Sequence, residues 1–256
     1  MSLRIAVLQP DIAWAAPERN LARFESHVAA CSADLLLLPE MFATGFCLDP
    51  ARIAGPDDGA VLATLRRWAA DYGCALAGSV AVSMPDATFR NRMYFVEPSG
   101  RVSYYDKHHL FTPGGEAAAF RAGDCRTVVS YGGMRFLLAV CYDLRFPVWL
   151  RCRDDYDAIL CCASWPASRR DAWCTLLRAR AIENQCYVAA ANRIGRDPAA
   201  HYAGDSVLLD FRGRTLAEAG AEECLIRAGF DLSAVSAFRG EFPVWRDADD
   251  FEMRIP

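Results

Sequence analysis

Residues 137–143 read Leu-Leu-Ala-Val-Cys-Tyr-Asp, an apolar run that ends abruptly on a thiol and an acid. Two other segments have the same form: Leu-Leu-Leu-Leu-Pro-Glu at residues 35–40 and Tyr-Tyr-Asp-Lys at residues 104–107. Each pattern predicts a strand that stops where the character of the chain changes sharply. Ligands collect beyond the carboxyl ends of strands in α/β proteins, so we expect these thiol, carboxylate and ammonium groups to converge in one pocket.

Short apolar runs alternate with helical patterns along the rest of the chain. The predicted strands are residues 3–8, 34–38, 74–82, 135–140, 157–163 and 186–191, with hairpins at 92–105 and 206–219. The predicted helices are residues 17–30, 60–72, a stretch from Phe146, and a segment whose apolar face is Trp173, Leu176, Leu177 and Ala181. About ten strands in an α/β chain favour two packed sheets over one wide sheet, because wide open sheets tend to split.

Composition and charge describe an ordinary globular protein. The 256 residues are 53% hydrophobic and 23% charged, and no linker, low-complexity stretch or repeat divides them, so we expect a single domain over residues 1–256. The net charge of −4 without a basic run argues against nucleic acid and anionic membranes as partners. No apolar run approaches the roughly 18 residues of a membrane span. The apolar part of the N-terminal stretch is too short for a secretory signal, so we expect a cytoplasmic protein.

Eleven cysteines raise the question of which one carries chemistry. An odd number without an export signal argues against a disulfide framework, and no Cys-x-x-Cys pair supports a zinc ribbon or a thioredoxin-like motif. Most cysteines are expected to be small buried hydrophobes. Cys141 differs because it lies where a strand meets a turn or helix, whose N–H groups would lower the thiol pKa. We predict Cys141 as the nucleophile, Glu40 as its base and Lys107 as a cation beside the oxyanion.

The segments that end on Glu40, Lys107 and Cys141 resemble motifs of the nitrilase superfamily of carbon–nitrogen hydrolases. The matching stretches are Pro-Glu-Met-Phe at 39–42, Tyr-Asp-Lys at 105–107, Cys-Tyr-Asp-Leu-Arg-Phe-Pro at 141–147 and Arg-Ala-Ile-Glu-Asn-Gln at 180–185. The resemblance covers nearly the whole chain and is strongest to the omega-amidase branch.

This resemblance implies a four-layer α-β-β-α sandwich with two mixed β-sheets. It also implies a Glu-Lys-Cys triad, which falls on Glu40, Lys107 and Cys141, and a second catalytic glutamate, for which Glu116 fits the place in the loop after the lysine. The backbone N–H of Tyr142 is expected to donate to the oxyanion. The chemistry needs no metal or organic cofactor, and the four histidines lack ligand spacing.

The implied reaction is hydrolysis of a small ω-amide of a dicarboxylic keto acid, such as α-ketoglutaramate or α-ketosuccinamate, through a thioester. Trp165, at the end of a predicted strand, is expected to form one side of a narrow substrate pocket. A substrate carboxylate needs a cation, and the candidates are Arg169 and Arg170, with Arg145 expected instead to form a structural ion pair. The choice among these arginines stays open at this point.

Three alternative functions and one assembly question also stay open. Other superfamily activities, namely carbamoyl amino acid amidohydrolase, aliphatic amidase and nitrilase, use nearly the same triad. A Cys-His hydrolase with His108 or His109 as base is a second possibility, and a non-catalytic metabolite-binding protein is a third. The resemblance implies a homodimer or larger oligomer, with contacts through residues 178–184 and the helix after Cys141.

Overall fold

Two β-sheets and the helices that cover them make up most of residues 2–252, the part of the chain that the computed structural model describes. The strands are β1 (Ser2–Gln9), β2 (Leu35–Leu37), β3 (Gly55–Pro56), β4 (Ala75–Ser83), β5 (Phe89–Val96), β6 (Val102–Asp106), β7 (Val128–Tyr131), β8 (Met134–Val140), β9 (Ala158–Ala163), β10 (Tyr187–Asn192), β11 (Ile194–Arg196), β12 (His201–Ala203), β13 (Val207–Leu209), β14 (Thr215–Glu218) and β15 (Cys224–Asp231). The helices are α1 (Pro17–Ala29), α2 (Pro50–Ile53), α3 (Ala60–Tyr72), α4 (Glu116–Ala119), α5 (Pro147–Leu150), α6 (Arg170–Asn184) and α7 (Leu232–Glu241). The expected domain over 1–256 includes residues 1 and 253–256, which lie outside this described part.

Both large sheets are mixed. The first has the order β15-β1-β2-β4-β5-β6, with β1, β2 and β4 parallel and β3 beside β4. The second has the order β14-β13-β10-β9-β8-β7, with β8, β9 and β10 parallel. The strands at the margins of both sheets pair antiparallel, and β11 and β12 form a separate hairpin.

Alternation of side chains along β1 shows how the layers are stacked. Ile5 and Val7 face the second sheet and join its residues in one hydrophobic cluster. Ala6 and Leu8 point to the opposite side, where they pack with residues of α1 and α3. Helix α6 covers the far side of the second sheet, with Trp173 among its buried residues. The layers follow the order α-β-β-α, which confirms the expected sandwich.

Long elements match their predicted positions closely. Helix α3 spans the predicted residues 60–72 and ends at Gly73, whose φ of +61° is readily adopted by glycine. The apolar face predicted for α6 is buried at Trp173, Leu177 and Ala181. These elements were predictable because their apolar spacing fixes both type and extent.

Differences from the prediction concentrate in short and marginal elements. The helix expected from Phe146 amounts to the four residues of α5, preceded by a 3₁₀ turn at Cys141–Arg145. Fifteen strands are present in residues 2–252, against about ten predicted. Strands β7 and β15 are half-exposed sheet margins and lack the continuous apolar run that reveals a buried strand. No helix in residues 2–252 combines the length and apolarity required to cross a membrane.

Candidate active site

Glu40, Lys107 and Cys141 meet at one cavity, at the carboxyl ends of strands from both sheets. Lys107 and Cys141 directly follow β6 and β8, and Glu40 lies three residues past β2, so all three stand beyond the carboxyl ends of strands. Lys107 Nζ donates to Glu40 Oε1 at 2.8 Å. The cavity has a volume of about 820 Å³, and all three residues line it. The structure therefore brings together the three groups that the sequence singled out, two from the first sheet and one from the second.

The backbone at Cys141 is held in an uncommon conformation. Its φ is +48°, in the left-handed region that residues other than glycine rarely adopt. The residue joins β8 to the 3₁₀ turn Cys141–Arg145, so the strand ends sharply at the thiol. Strain of this kind concentrates at functional sites and persists where surrounding contacts enforce it.

Asp143 supplies contacts that hold this turn. Its buried carboxylate accepts hydrogen bonds from the backbone N–H of Val140 at 2.9 Å and from the Tyr105 hydroxyl at 2.8 Å. It also accepts from the backbone N–H of His109, and His109 Nδ1 lies 2.9 Å from the same oxygen. No role was predicted for Asp143 from the sequence. Its position inside the motif at 141–147 was the available signal.

A second carboxylate and an amide complete the surroundings of Lys107. Glu116 Oε2 lies 2.8 Å from Lys107 Nζ and accepts a further hydrogen bond from the Phe111 backbone N–H. Asn91 Nδ2 donates to Glu40 Oε1 and to Glu116 Oε1, at 2.9 Å in each case. Glu116 thus lies beside Lys107, although it does not line the cavity. Asn91, on β5, was missed because an isolated asparagine in a strand carries no local signal.

Glu40 is fixed through both of its carboxylate oxygens. Oε1 accepts from Lys107 and Asn91, and Oε2 accepts from the backbone N–H of Ser164 at 2.9 Å. Ser164 Oγ also donates to the backbone oxygen of Glu40 at 3.2 Å. Ser164 directly follows β9, so the carboxyl end of a strand in the second sheet also helps to position the Glu40 carboxylate.

Burial and neighbouring charges together set the pKa values of Lys107, Cys141 and Glu116. Burial would lower the pKa of Lys107, but Glu116 and Glu40 outweigh it and hold that pKa well above its usual value. Burial and Glu40 raise the pKa of Cys141 well above its usual value, against the smaller opposing effect of Lys107. Burial also raises the pKa of Glu116, partly offset by Lys107.

The expectation of a lowered Cys141 pKa was therefore wrong. A thiolate would add another negative charge to a buried cluster that already contains two carboxylate groups and one ammonium. The turn after Cys141 does not compensate for this burial. The raised pKa favours the neutral thiol, so Cys141 would need a nearby base to become a nucleophile.

The two adjacent histidines are engaged elsewhere. The His108 ring stacks on Trp149 with centroids 3.8 Å apart, and its Nδ1 lies 2.6 Å from the Gly123 backbone oxygen. The His109 ring stacks on Phe146 at 3.8 Å, and its Nδ1 faces Asp143. Neither histidine lines the cavity, so the geometry gives no support to a Cys-His pair with Cys141.

Six phenylalanine, tyrosine and tryptophan side chains contribute to the wall of the cavity. Trp165 lines it, and its Nε1 donates to the Arg169 backbone oxygen at 2.8 Å. Tyr142 and Phe111 also line it, and their rings pack edge-to-face with centroids 5.1 Å apart. The remaining aromatic lining residues are Trp14, Phe46 and Tyr202. A small, partly apolar substrate is suited to such a space.

Two arginines face the cavity and a third does not. The Arg145 guanidinium lies 4.9 Å from the Trp165 ring, and that of Arg169 lies 5.0 Å from the Phe111 ring. Neither has an ion-pair partner among residues 2–252, so the ion pair expected at Arg145 was wrong. Arg170 instead forms a two-pronged pair with Asp205, each bond 2.7 Å long, and lies outside the cavity lining.

Within residues 2–252, no group of three or more His, Cys, Asp or Glu side chains is arranged to hold a metal ion.

Comparison with known proteins identifies the class. Residues 4–240 match the carbon-nitrogen hydrolase family model, so the chain belongs to this family, as the sequence motifs predicted. The chain is 42% identical over 253 residues to the omega-amidase YafV of Yersinia enterocolitica, with 98% of each chain covered. It is 37% identical over 254 residues to the 2-oxoglutaramate amidase of Bacillus subtilis, covering 96% of this chain and 98% of the relative.

The fold agrees with that of a solved relative. The crystal structure of a CN-hydrolase superfamily protein of Xanthomonas campestris, with an arsenic adduct in its active site, matches with a TM-score of 0.96 and 39% sequence identity. The match covers 99% of this chain and 100% of the other. A hydrolase of carbon–nitrogen bonds is thus the class that family and fold define.

Proposed function

We propose that this hydrolase is an ω-amidase, which converts the terminal amide of a small dicarboxylic keto acid, such as α-ketoglutaramate or α-ketosuccinamate, into the acid and ammonia. The observation that carries the proposal is the cavity that Glu40, Lys107 and Cys141 share with two arginines, neither of which has a carboxylate partner within residues 2–252. The relatives named omega-amidase and 2-oxoglutaramate amidase support the same substrate class. Residues 1–256 act as one hydrolase domain without a cofactor.

Acylation follows from the arrangement around Cys141. Glu40 takes the thiol proton while the sulfur attacks the amide carbon, which forms a tetrahedral intermediate with a negatively charged oxygen. The Lys107 ammonium and the backbone N–H of Tyr142 stabilise that oxyanion. Glu40 then returns the proton to the departing nitrogen, so ammonia leaves and a thioester remains on Cys141.

Hydrolysis of the thioester repeats the proton transfers with water. Glu40 takes a proton from the water as its oxygen attacks the thioester carbon, and Lys107 again faces the oxyanion. Collapse of this second intermediate breaks the carbon–sulfur bond, and the proton on Glu40 returns to the sulfur. The carboxylic acid is released and the neutral thiol is restored.

If Arg145 or Arg169 binds a substrate carboxylate, the enzyme should prefer amides that carry one. A substrate carboxylate held by a guanidinium gains a charge-assisted hydrogen bond worth about 1.5–3 kcal/mol. We therefore expect kcat/KM for α-ketosuccinamate to exceed that for neutral acetamide by at least ~10-fold, measured as ammonia release. Faster turnover of a nitrile or a carbamoyl amino acid would favour those superfamily activities instead, and binding without ammonia release would favour a non-catalytic protein.

Substitution of each arginine tests which one binds the substrate carboxylate. Arg145→Gln and Arg169→Gln are compared with Arg170→Gln, whose guanidinium is outside the cavity. At least one of the first two should lower kcat/KM for α-ketosuccinamate by ~10-fold or more and leave acetamide turnover nearly unchanged. An equal loss on both substrates would contradict a carboxylate-binding role.

The protein is further proposed to be a homodimer or a larger oligomer. Val148 on α5 and Ile182 on α6 are 52% and 55% exposed, and both lie on the helices predicted to form the contact. Burying such residues in a twofold interface removes apolar surface from water. Light scattering coupled to size-exclusion chromatography should give at least twice the chain mass of 28.3 kDa, whereas a monomer at micromolar concentration contradicts this assembly.

A further inference from the structure

Two buried cysteines touch each other at the opposite end of the first sheet from Glu40. Cys31 lies between α1 and β2, and Cys74 lies between α3 and β4. Their Sγ atoms are 3.4 Å apart. Both precede the strands that they introduce, whereas Glu40 follows β2. The mechanism above uses neither thiol.

The surroundings of Cys31 favour its ionised form. Cys74 hydrogen-bonds to Cys31 and lowers the pKa of Cys31, and although burial opposes this, the pKa falls to about 6. The guanidinium of Arg227 contributes in the same direction, and it donates to the Cys31 backbone oxygen at 2.6 Å. The pKa of Cys74 is raised by the same contact. The directions of these two shifts favour ionisation of Cys31 before Cys74.

We propose that Cys31 and Cys74 form a modification site, a dithiol that a hydroperoxide oxidises to an intrachain disulfide. A disulfide needs a sulfur–sulfur distance of about 2.05 Å, so the two atoms must approach by about 1.4 Å. Both cysteines lie in connecting segments outside helices and strands, where such a shift disturbs no sheet pairing. Cys31 is flanked in sequence by exposed Ala30 and Ser32, which places the pair just beneath the surface.

The chemistry balances with one molecule of hydrogen peroxide. The Cys31 thiolate attacks one peroxide oxygen and breaks the O–O bond, which gives a sulfenic acid and a hydroxide that takes up a proton. Cys74 loses its proton and attacks the sulfenic sulfur, which expels a second hydroxide, released as water. Two thiols are oxidised, one peroxide is reduced to two waters, and one S–S bond forms.

The bond would tie together the ends of α1 and α3, the two helices on the outer face of the first sheet. The cysteines are 43 positions apart, so the link closes a long loop and restricts the unfolded chain. We expect Tm to rise by about 5–10 °C on oxidation, since stabilisation by a disulfide increases with loop length.

The experiment uses the full chain carrying Cys141→Ala, so that peroxide cannot act on the proposed catalytic thiol. Reduced protein is titrated with hydrogen peroxide and examined by intact mass, by peptide mapping and by thermal melting. The expected result is a loss of two hydrogens, a crosslinked peptide pair containing Cys31 and Cys74, and a rise in Tm that dithiothreitol reverses. Adding Cys31→Ser should abolish all three changes, whereas Cys125→Ser, at an exposed cysteine, should leave them intact.

Three results would contradict the proposed disulfide. Cys31 and Cys74 could both stay as free thiols at peroxide concentrations that oxidise exposed Cys125. Cys31 could be crosslinked to a different cysteine, or the Cys31→Ser variant could show an equal rise in Tm. If a serine variant fails to fold, peptide mapping of the chain without that substitution still shows whether Cys31 and Cys74 are crosslinked. Turnover is not part of the readout, so failure here leaves the proposed amidase activity untouched.

Discussion

Cys141→Ala is expected to lower kcat by about 10⁵-fold or more while the protein stays folded. Removing the nucleophile eliminates the thioester route, and losses of this size accompany the removal of a nucleophile in other covalent hydrolases. Alanine fits the left-handed position no worse than cysteine and is smaller, so the surrounding contacts persist. Ammonia release measures the activity, and circular dichroism with thermal melting verifies the fold.

Cys161→Ala and Cys162→Ala are the matched controls. Both thiols are fully buried on β9, next to the strand that leads to Cys141. Each substitution should reduce the free energy of unfolding by roughly 1–2 kcal/mol, as small cavities do, and leave the catalytic steps in place. Activity retained in Cys141→Ala would refute the proposed mechanism, whereas Tm losses confined to the controls support it.

The parts of the fold that could be predicted are those with a strong apolar period. Helix α3 was located to the residue because its apolar spacing and Gly73 define both ends. Strand β15 was missed, although it pairs with β1 along its whole length, because its alternation is only half-buried. The helix predicted from Phe146 is only the four residues of α5, because the backbone becomes extended at Arg151.

The candidate site divides in a similar way. Glu40, Lys107 and Cys141 were recognisable because each breaks an apolar pattern at a strand end. Asn91 and Ser164 were not, since their contacts with Glu40 join residues 51 and 124 positions apart. The direction of the Cys141 pKa was wrong for the same reason, because the local turn predicts a lower value and long-range burial beside Glu40 reverses it.

Glu40→Gln should lower kcat/KM by about 10³-fold or more, because the carboxylate is the proton acceptor in both acylation and thioester hydrolysis. The raised pKa of Cys141 makes the dependence strict, since little thiolate exists without a base. The variant should also slow alkylation of Cys141 by iodoacetamide, measured by mass spectrometry at neutral pH, because losing the base outweighs the lower thiol pKa that follows when the charge of Glu40 is removed. Retained alkylation and turnover would contradict the assignment of Glu40 as base.

Glu116→Gln is the informative comparison, because both carboxylates bind Lys107 but only Glu40 lines the cavity. Glutamine at position 116 places an NH₂ group where an oxygen accepts hydrogen bonds from Lys107, Asn91 or Phe111. At least one of these hydrogen bonds is lost, so the Lys107 ammonium is held less firmly. We expect a loss of roughly 10–100-fold in kcat from a less well placed oxyanion donor, with Cys141 alkylation close to that of the unaltered protein.

The histidine alternative is decided by the same pair of measurements. His108→Ala removes a ring that stacks on Trp149 outside the cavity, so it should lower Tm and leave both turnover and alkylation near their original values. If that variant proved as inactive as Glu40→Gln and alkylated as slowly, a histidine would be the base. For His108 to act as the base, its ring would have to leave Trp149 and reach Cys141, whereas Glu40 already lines the cavity with Cys141. The carboxylate therefore requires no rearrangement before the first proton transfer.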